Sequence, residues 1–473
     1  MTMAPRRSRA VSEPGFPAIR PPLPQRGGLT GRIIFLWLVI LASVGYTAVD
    51  NYLSPPSVAA AAAEEKNPGQ NLSPELAMSS RYAVGAWSLN RDNPAPLLPV
   101  LARLDQLADS PVEKLRLAIV VGEIEGAPAA IERVNALKPS LARDQSLQRD
   151  ADDVLQIYKS GVDSLPADQQ QRLIDRHGWF GRVALAYKAP AGSPAERAVF
   201  APARKTLAVI GVAGVLILFA FVAGLGLCIL AIIWLALGKV RFAFRPPIDN
   251  VVPLLESFAV YLGVFAVAGP VFHHLPIPGG PAGVAIRLAA SAGIAILPIV
   301  WPMLRGMRFH DWRRLVGWHT GQGVFHEIGV GLLAYIGGLP VIAVGFLLTF
   351  ILSGVMNSHP THPITRMIGQ SPGLTLELLF LASIFAPITE ETLFRGALFG
   401  YLRGWHRWLV SAAIVSTIFA ALHPQGWIAM PALFSIAIVF AAMREWRSSL
   451  LPSMAAHCLN NTVLVVLLTV SLS

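Results

Sequence analysis

Apolar residues in this chain come mostly in long unbroken runs. From Thr206 onward eight runs can be read, near 206–238, 251–272, 282–304, 328–353, 374–402, 408–424, 427–443 and 450–471. As helices most are long enough to cross a hydrocarbon core about 30 Å thick. A further run, Ile33 to Val49, stands near the N-terminus. The pattern predicts an all-α, polytopic helical membrane protein with about nine transmembrane helices.

Between residues 55 and 200 the pattern changes to that of a soluble segment. Pro55 to Gln70 reads as a linker. Helical spacing follows at Leu97, Leu98, Val100, Leu101, Leu104 and Leu107, then from Leu115 to Ile131 and from Val154 to Ile174. Gly126-Ala-Pro128 and Leu165-Pro166 punctuate it. A small domain of antiparallel helix pairs is expected, without a strict 34-residue repeat. The acidic cluster Asp150, Asp152 and Asp153 reads as a solvated helix face, not a metal site. Residues 1–32, with Arg6, Arg7, Arg9, Arg20, Arg26 and Arg32 against Glu13 alone, read as a disordered basic tail. Small residues from Ala59 to Ala63 would suit a signal-peptide cleavage site after the 33–49 run, but the long arginine-rich tail favours an uncleaved anchor. On either reading, 55–200 is exported as an extracytoplasmic domain.

Composition agrees. Of 473 residues 54% are hydrophobic and 14% charged, against about 25% charged in ordinary soluble domains. This excludes a cytosolic enzyme, a disordered protein and a secreted disulfide scaffold. The two cysteines, Cys228 and Cys458, lie inside apolar runs and form no zinc-ribbon or CxxC pattern. Nineteen of the 28 acidic residues lie between Asp50 and Glu196, so the net charge of +10 belongs to the tail and the loops. Lys239, Arg241 and Arg245, then Arg305, Arg308, Arg313 and Arg314, then Arg403 and Arg407, then Arg444 and Arg447 follow every second span. That is the positive-inside pattern. It puts the tail in the cytoplasm, the 55–200 domain and the C-terminus outside, and the chain in a cell membrane, on this patterning a bacterial inner membrane. No basic run is interleaved with aromatics, so no nucleic-acid partner is expected; membrane lipid is, and the exported domain offers a surface for a protein partner.

Polar residues inside the spans carry the candidate chemistry. An ionised carboxylate at mid-membrane costs about 2.5–3.5 kcal/mol, and Glu390 and Glu391 stand side by side in Ala386-Pro-Ile-Thr-Glu-Glu-Thr-Leu-Phe-Arg395. Arg395, four residues after Glu391, can neutralise it as a structural ion pair, whereas Glu390 points about 100° away with no local partner. The next span ends Phe419-x-x-x-His423, and the last holds His457-x-x-x-Asn461. A lone histidine at a span end is commonly interfacial, and a His–Asn pair commonly ties helices together. Taken together, Glu390, His423, His457 and Asn461 supply a base for water, a proton carrier and an oxyanion donor, the requirements of amide hydrolysis. Glu390, His423 and His457 are also acceptable ligands for a divalent metal such as zinc, although no HExxH is present.

These motifs, in this order and spacing, resemble the CAAX prenyl protease and bacteriocin-processing family of intramembrane endopeptidases. The resemblance covers about 370–465. It implies a helical membrane fold with a conical cavity, in which Glu390 and His423 activate water, His457 and Asn461 stabilise the oxyanion or orient the water, and Glu391 with Arg395 holds the helix. It leaves open a glutamate peptidase or a metallopeptidase. The expected function is hydrolysis of membrane-associated or exported peptides. The rival readings are a proton-coupled transporter, against which stands the lack of an inverted repeat, and a catalytically silent scaffold, against which every motif position is filled.

The topology is testable. On a Cys-free background, a single cysteine at position 120 should react with an impermeant thiol reagent from outside the cell; reaction only after permeabilisation would reverse the orientation.

Overall fold

The computed structural model describes residues 26–53, 74–141, 144–240, 251–274, 280–356 and 372–472, with Phe242, Phe244, Pro246 and Ile277. The 55–70 linker and the tail before Arg26 lie outside the described residues. All regular structure among those described is helical. Among the described residues seven helices are long and apolar enough to cross a membrane, and Val252–Val267 and Trp408–Leu422 are shorter apolar helices. The predicted runs therefore all correspond to helices, two of them short.

Helix α1, Arg26–Leu53, starts inside the stretch expected to be tail. The segment with soluble composition forms α2 Pro74–Trp87, α3 Leu98–Leu107, α4 Pro111–Ile124, α5 Ala127–Leu137, α6 Gln145–Ser160, α7 Ala167–His177 and α8 Trp179–Leu185. Their local causes are plain. Ser110 accepts from the Glu113 N–H while the Glu113 carboxylate takes the Ser110 N–H, a capping box with Pro111 at the first helical position. Asp144 caps α6. Leu76, Leu104, Leu115, Ile119, Val154, Ile157, Leu173 and Phe180 fill one core. The acidic cluster is not the solvated face expected from sequence. Asp150 is fully buried, 3.1 Å from both His177 and Arg176, and Asp153 bonds Arg172 at 2.5 Å, so two of the three acids clamp α6 to α7. Asp152 alone is exposed, beside Lys138. Burial holds the His177 imidazole below its ordinary pKa.

Helix α9, Pro194–Ala236, runs for 43 residues from this domain into the membrane. The remaining helices are α10 Val252–His274, α11 Gly280–Leu304, the short α12 Phe309–Val316, α13 Val324–Met356, α14 over 372–405, α15 Trp408–Leu422, α16 Met430–Arg447 and α17 Leu451–Leu472. Ion pairs join their ends. Glu256 on α10 meets Arg32 of α1 and Arg305 after α11. Arg403 of α14 grips Glu445 of α16 at 2.7 and 2.9 Å. Arg447 of α16 grips Glu327 of α13 at 3.0 and 2.6 Å. These ends share one face of the bundle, the arginine-rich one. On the opposite face Arg287 grips Glu377 at 2.7 and 2.6 Å. There also the Thr206 hydroxyl and Arg81 donate to the Ser471 carbonyl at the end of α17, and Met78 packs on Leu378, Val465 and Leu468. The domain built from 74–205 is therefore seated on the face opposite the arginine-rich one.

Lipid offers no hydrophobic drive between helices, so close backbone approach must come from small residues. In α13, Gly331, Gly338 and Gly345 recur every seventh residue. A Cβ on Gly331 would enter the Pro452 backbone, on Gly338 the Val439 side chain, and on Gly345 Ser435 and the Pro431 carbonyl. Gly329, on the same helix, faces open space. Gly331→Val should therefore lower stability by about 1–3 kcal/mol, read as a lower Tm in detergent, while Gly329→Val should melt as the parent does.

Candidate active site

The site is assembled by α14, α15, α16 and α17. Helix α14 is not a regular α-helix. It widens to π-type turns at Leu381–Phe385 and again at Glu391–Leu398. Pro387 explains the first. Proline lacks an N–H and its ring collides with the carbonyl four residues back, so the turn before it expands. The Ala386 N–H then reaches back to Leu381, and the next carbonyl, Ala382, finds only a proline where its helical donor should be. Asn461 of α17 supplies the missing donor, with Nδ2 2.8 Å from the Ala382 oxygen.

Glu390 and Glu391 follow within a turn. Glu391 and Arg395 are both fully buried, with Arg395 Nη1 3.1 Å from Glu391 Oε1, so the predicted ion pair is present. The Arg395 guanidinium lies over the rings of Phe419, 4.6 Å away, and Phe440, 5.4 Å away, and donates to the Ala437 carbonyl. Aromatic faces stabilise a desolvated cation. Phe440 was not singled out from the sequence, since one more phenylalanine in an apolar span carries no signal.

His457 joins the two glutamates. Its Nδ1 is 3.0 Å from Glu391 Oε1, and its Nε2 is 3.8 Å from Glu390 Oε2. The Glu391 oxygen that faces Arg395 also receives the histidine, a partner not expected from the sequence. The ring is held between Phe440, at 5.1 Å, and Phe419, at 6.1 Å. Glu390 keeps 23% of its side chain accessible, whereas Glu391 is sealed.

His423 ends α15. Its Nδ1 donates to the Phe419 carbonyl at 2.6 Å, which fixes the tautomer and leaves Nε2 as the basic nitrogen. Its ring lies 4.2 Å from the Phe419 ring, which also lies 6.1 Å from the His457 ring. Asn461 is tied to α14 and also accepts from Asn460 Nδ2 at 2.9 Å. Among the described residues no three His, Cys, Asp or Glu side chains gather as metal ligands do. Glu390, His423 and His457 as arranged do not fit a metal, and both cysteines are free thiols.

A cavity of about 180 Å³ opens on the arginine-rich face between the α12–α13 loop and the start of α17, lined in part by Arg313, Trp318, His319 and Met454. The Trp318 indole donates to the Thr392 hydroxyl at 2.9 Å, next to Glu391. Met454 lies three residues before His457 on α17, so the cavity adjoins the site.

Residues 372–463 match the family model described as type II CAAX prenyl endopeptidase, Rce1-like. The stretch includes all of Glu390, Glu391, Arg395, His423, His457 and Asn461. An uncharacterized 24.3 kDa protein of Escherichia coli is 30% identical over 156 residues, which is 32% of this chain and 69% of that protein. No solved structure matches the chain.

The ion pair gives a stability test. Arg395→Ala leaves Glu391 buried without its cation, and breaking a buried pair costs about 3–5 kcal/mol. The variant should melt well below the parent in detergent, and adding Glu391→Gln should restore part of the loss. A single variant as stable as the parent would show that the pair carries no stability.

Proposed function

Because the chain belongs to the Rce1-like type II CAAX prenyl endopeptidases, intramembrane proteases acting on peptides at the membrane, we propose that it hydrolyses peptide bonds with a water activated by Glu390. The observation that carries this reading is the placement of His457 between the two glutamates, with one ring nitrogen toward each. A carboxylate on one imidazole nitrogen sets the ring's tautomer and orientation and leaves the other nitrogen for chemistry. Glu391, itself held by Arg395, plays that part at Nδ1. Nε2 then faces Glu390 across 3.8 Å, too far for a direct hydrogen bond and a distance that one water can bridge.

These positions support hydrolysis by an activated water. Glu390 takes a proton from the water as its oxygen attacks the scissile carbonyl carbon. Negative charge develops on the carbonyl oxygen. Asn461 donates an N–H to it, and His457 orients the water or steadies the charge. As the carbon–nitrogen bond breaks, the proton passes to the leaving amine, with His423 as a second base near the water.

The substrate is a peptide or protein in or at the membrane. On the positive-inside pattern, the N-terminus and the cavity beside Trp318 face the cytoplasm of a bacterial cell and the 74–205 domain faces outward. There it would offer a surface to a protein partner. A proton-coupled transporter would need Glu390 for uptake and not for cleavage.

The test is a comparison of peptide termini, by mass spectrometry, in membranes of cells making the parent or Glu390→Gln. Glutamine keeps the shape and cannot take the proton. Cleavages seen with the parent should vanish while the variant keeps the parental Tm, and His423→Ala and His457→Ala should behave alike. A folded Glu390→Gln protein that yields the parental termini would overturn the assignment.

A further inference from the structure

Asn461 does not stand alone. The Tyr335 hydroxyl of α13 lies 2.8 Å from Asn460 Oδ1, Asn460 Nδ2 lies 2.9 Å from Asn461 Oδ1, and Asn461 Nδ2 lies 2.8 Å from the Ala382 oxygen. Three helices are thus joined by one line of polar groups inside an apolar bundle, and Tyr335 has no role in the site described so far.

The direction of every bond in this line follows from chemistry. The Ala382 carbonyl only accepts, so Asn461 must present its NH2 there and its Oδ1 to Asn460. Asn461 Oδ1 also only accepts, so Asn460 must present its NH2 to it. Asn460 Oδ1 then faces Tyr335, whose hydroxyl must donate. A single arrangement satisfies all three bonds, and it leaves the second N–H of Asn461 uncommitted to any of them. The arrangement depends on both ends. At one end Pro387 and the widened turn free the Ala382 carbonyl; at the other the tyrosine proton fixes Asn460.

We propose that Tyr335 is a positioning residue for the reaction: through Asn460 it fixes the Asn461 carboxamide so that one N–H binds Ala382 and the other meets the oxyanion. This rests on the reading of Asn461 as oxyanion donor. Without the hydroxyl, Asn460 loses the bond that orients it, and an inverted Asn460 would bring two amide oxygens together. The Asn461 carboxamide would then rotate among orientations, only some of which aim an N–H at the developing charge. Aligned bonds also polarise one another, so the terminal donor is stronger in the intact line.

The experiment uses the full-length protein in proteoliposomes and a quenched fluorogenic peptide carrying a cleavage site found by the termini comparison. Asn461→Ala should lower kcat about 10²–10³-fold. Tyr335→Phe should lower kcat roughly tenfold, the effect of one lost hydrogen bond, with KM near the parental value. In the double variant the tyrosine change should add nothing to the loss from Asn461→Ala, an effect that a structural role would not produce. Asn460→Leu cuts the same line in the middle and should lower kcat as Tyr335→Phe does, which keeps the test decisive if the tyrosine variant fails to fold. If Asn461→Ala loses activity while Tyr335→Phe and Asn460→Leu keep the parental kcat, the role of Tyr335 falls and the oxyanion assignment stands. If the double variant shows the product of the two losses, Tyr335 acts by another route and the proposal is overturned. If Asn461→Ala keeps the parental kcat, the oxyanion assignment falls and the proposal falls with it.

Discussion

A charge in a hydrocarbon layer must be neutralised by its neighbours, and much of this bundle follows from that demand. In the membrane domain Glu256, Glu327, Glu377, Glu391 and Glu445 each sit against an arginine. Four of these contacts join the ends of different helices, so they determine which ends lie together and on which face. The fifth, Glu391 with Arg395, lies within one helix and is fully buried. Glu390 is the exception among the described glutamates of this domain: its ion-pair contact is with His457, not with an arginine. A carboxylate whose neighbour is an imidazole keeps a proton-accepting role that a carboxylate locked to a guanidinium gives up. The site is thus the place where the rule of arginine neutralisation is relaxed.

Backbone irregularity serves the same end. Pro387 removes a donor, the helix widens, and the carbonyl of Ala382 is left for a side chain of another helix to satisfy. An unpaired carbonyl in this environment costs several kcal/mol, so the bond from Asn461 draws α17 into register with α14. The same register places His457, one turn earlier on α17, against Glu390 and Glu391. Packing of small residues in α13 completes the arrangement by letting α16 and α17 come close.

The domain of residues 74–205 is coupled to this core at one end of α17. Thr206 and Arg81 both hold the Ser471 carbonyl, and Met78 packs on the same helix. Helix α9 continues from that domain into the membrane without a break. The helix that carries His457 and Asn461 is therefore anchored at its far end by the domain and at its start by the hydrogen bond from Leu450 to Gly317.

Hydropathy runs and the alternation of basic loops were enough to read an all-helical membrane protein from the chain, because the bilayer imposes length and composition on each span separately. The Glu391–Arg395 pair was legible for a similar reason: its partners are four residues apart on one helix, and local geometry brings them together. The motif spacing marked Glu390, His423, His457 and Asn461 as candidates, since polar groups in apolar spans stand out. Contacts between helices distant in sequence were beyond that reading. The second partner of Glu391 is 66 residues away, and the partner of Tyr335 is 125 residues away. Asp150 and Asp153 gave the same signal as any solvated acid until α7 was packed against them. Period and composition report the environment of one helix. Which polar side chains face one another depends on rotation and register between helices, and those are decided only when the whole bundle packs.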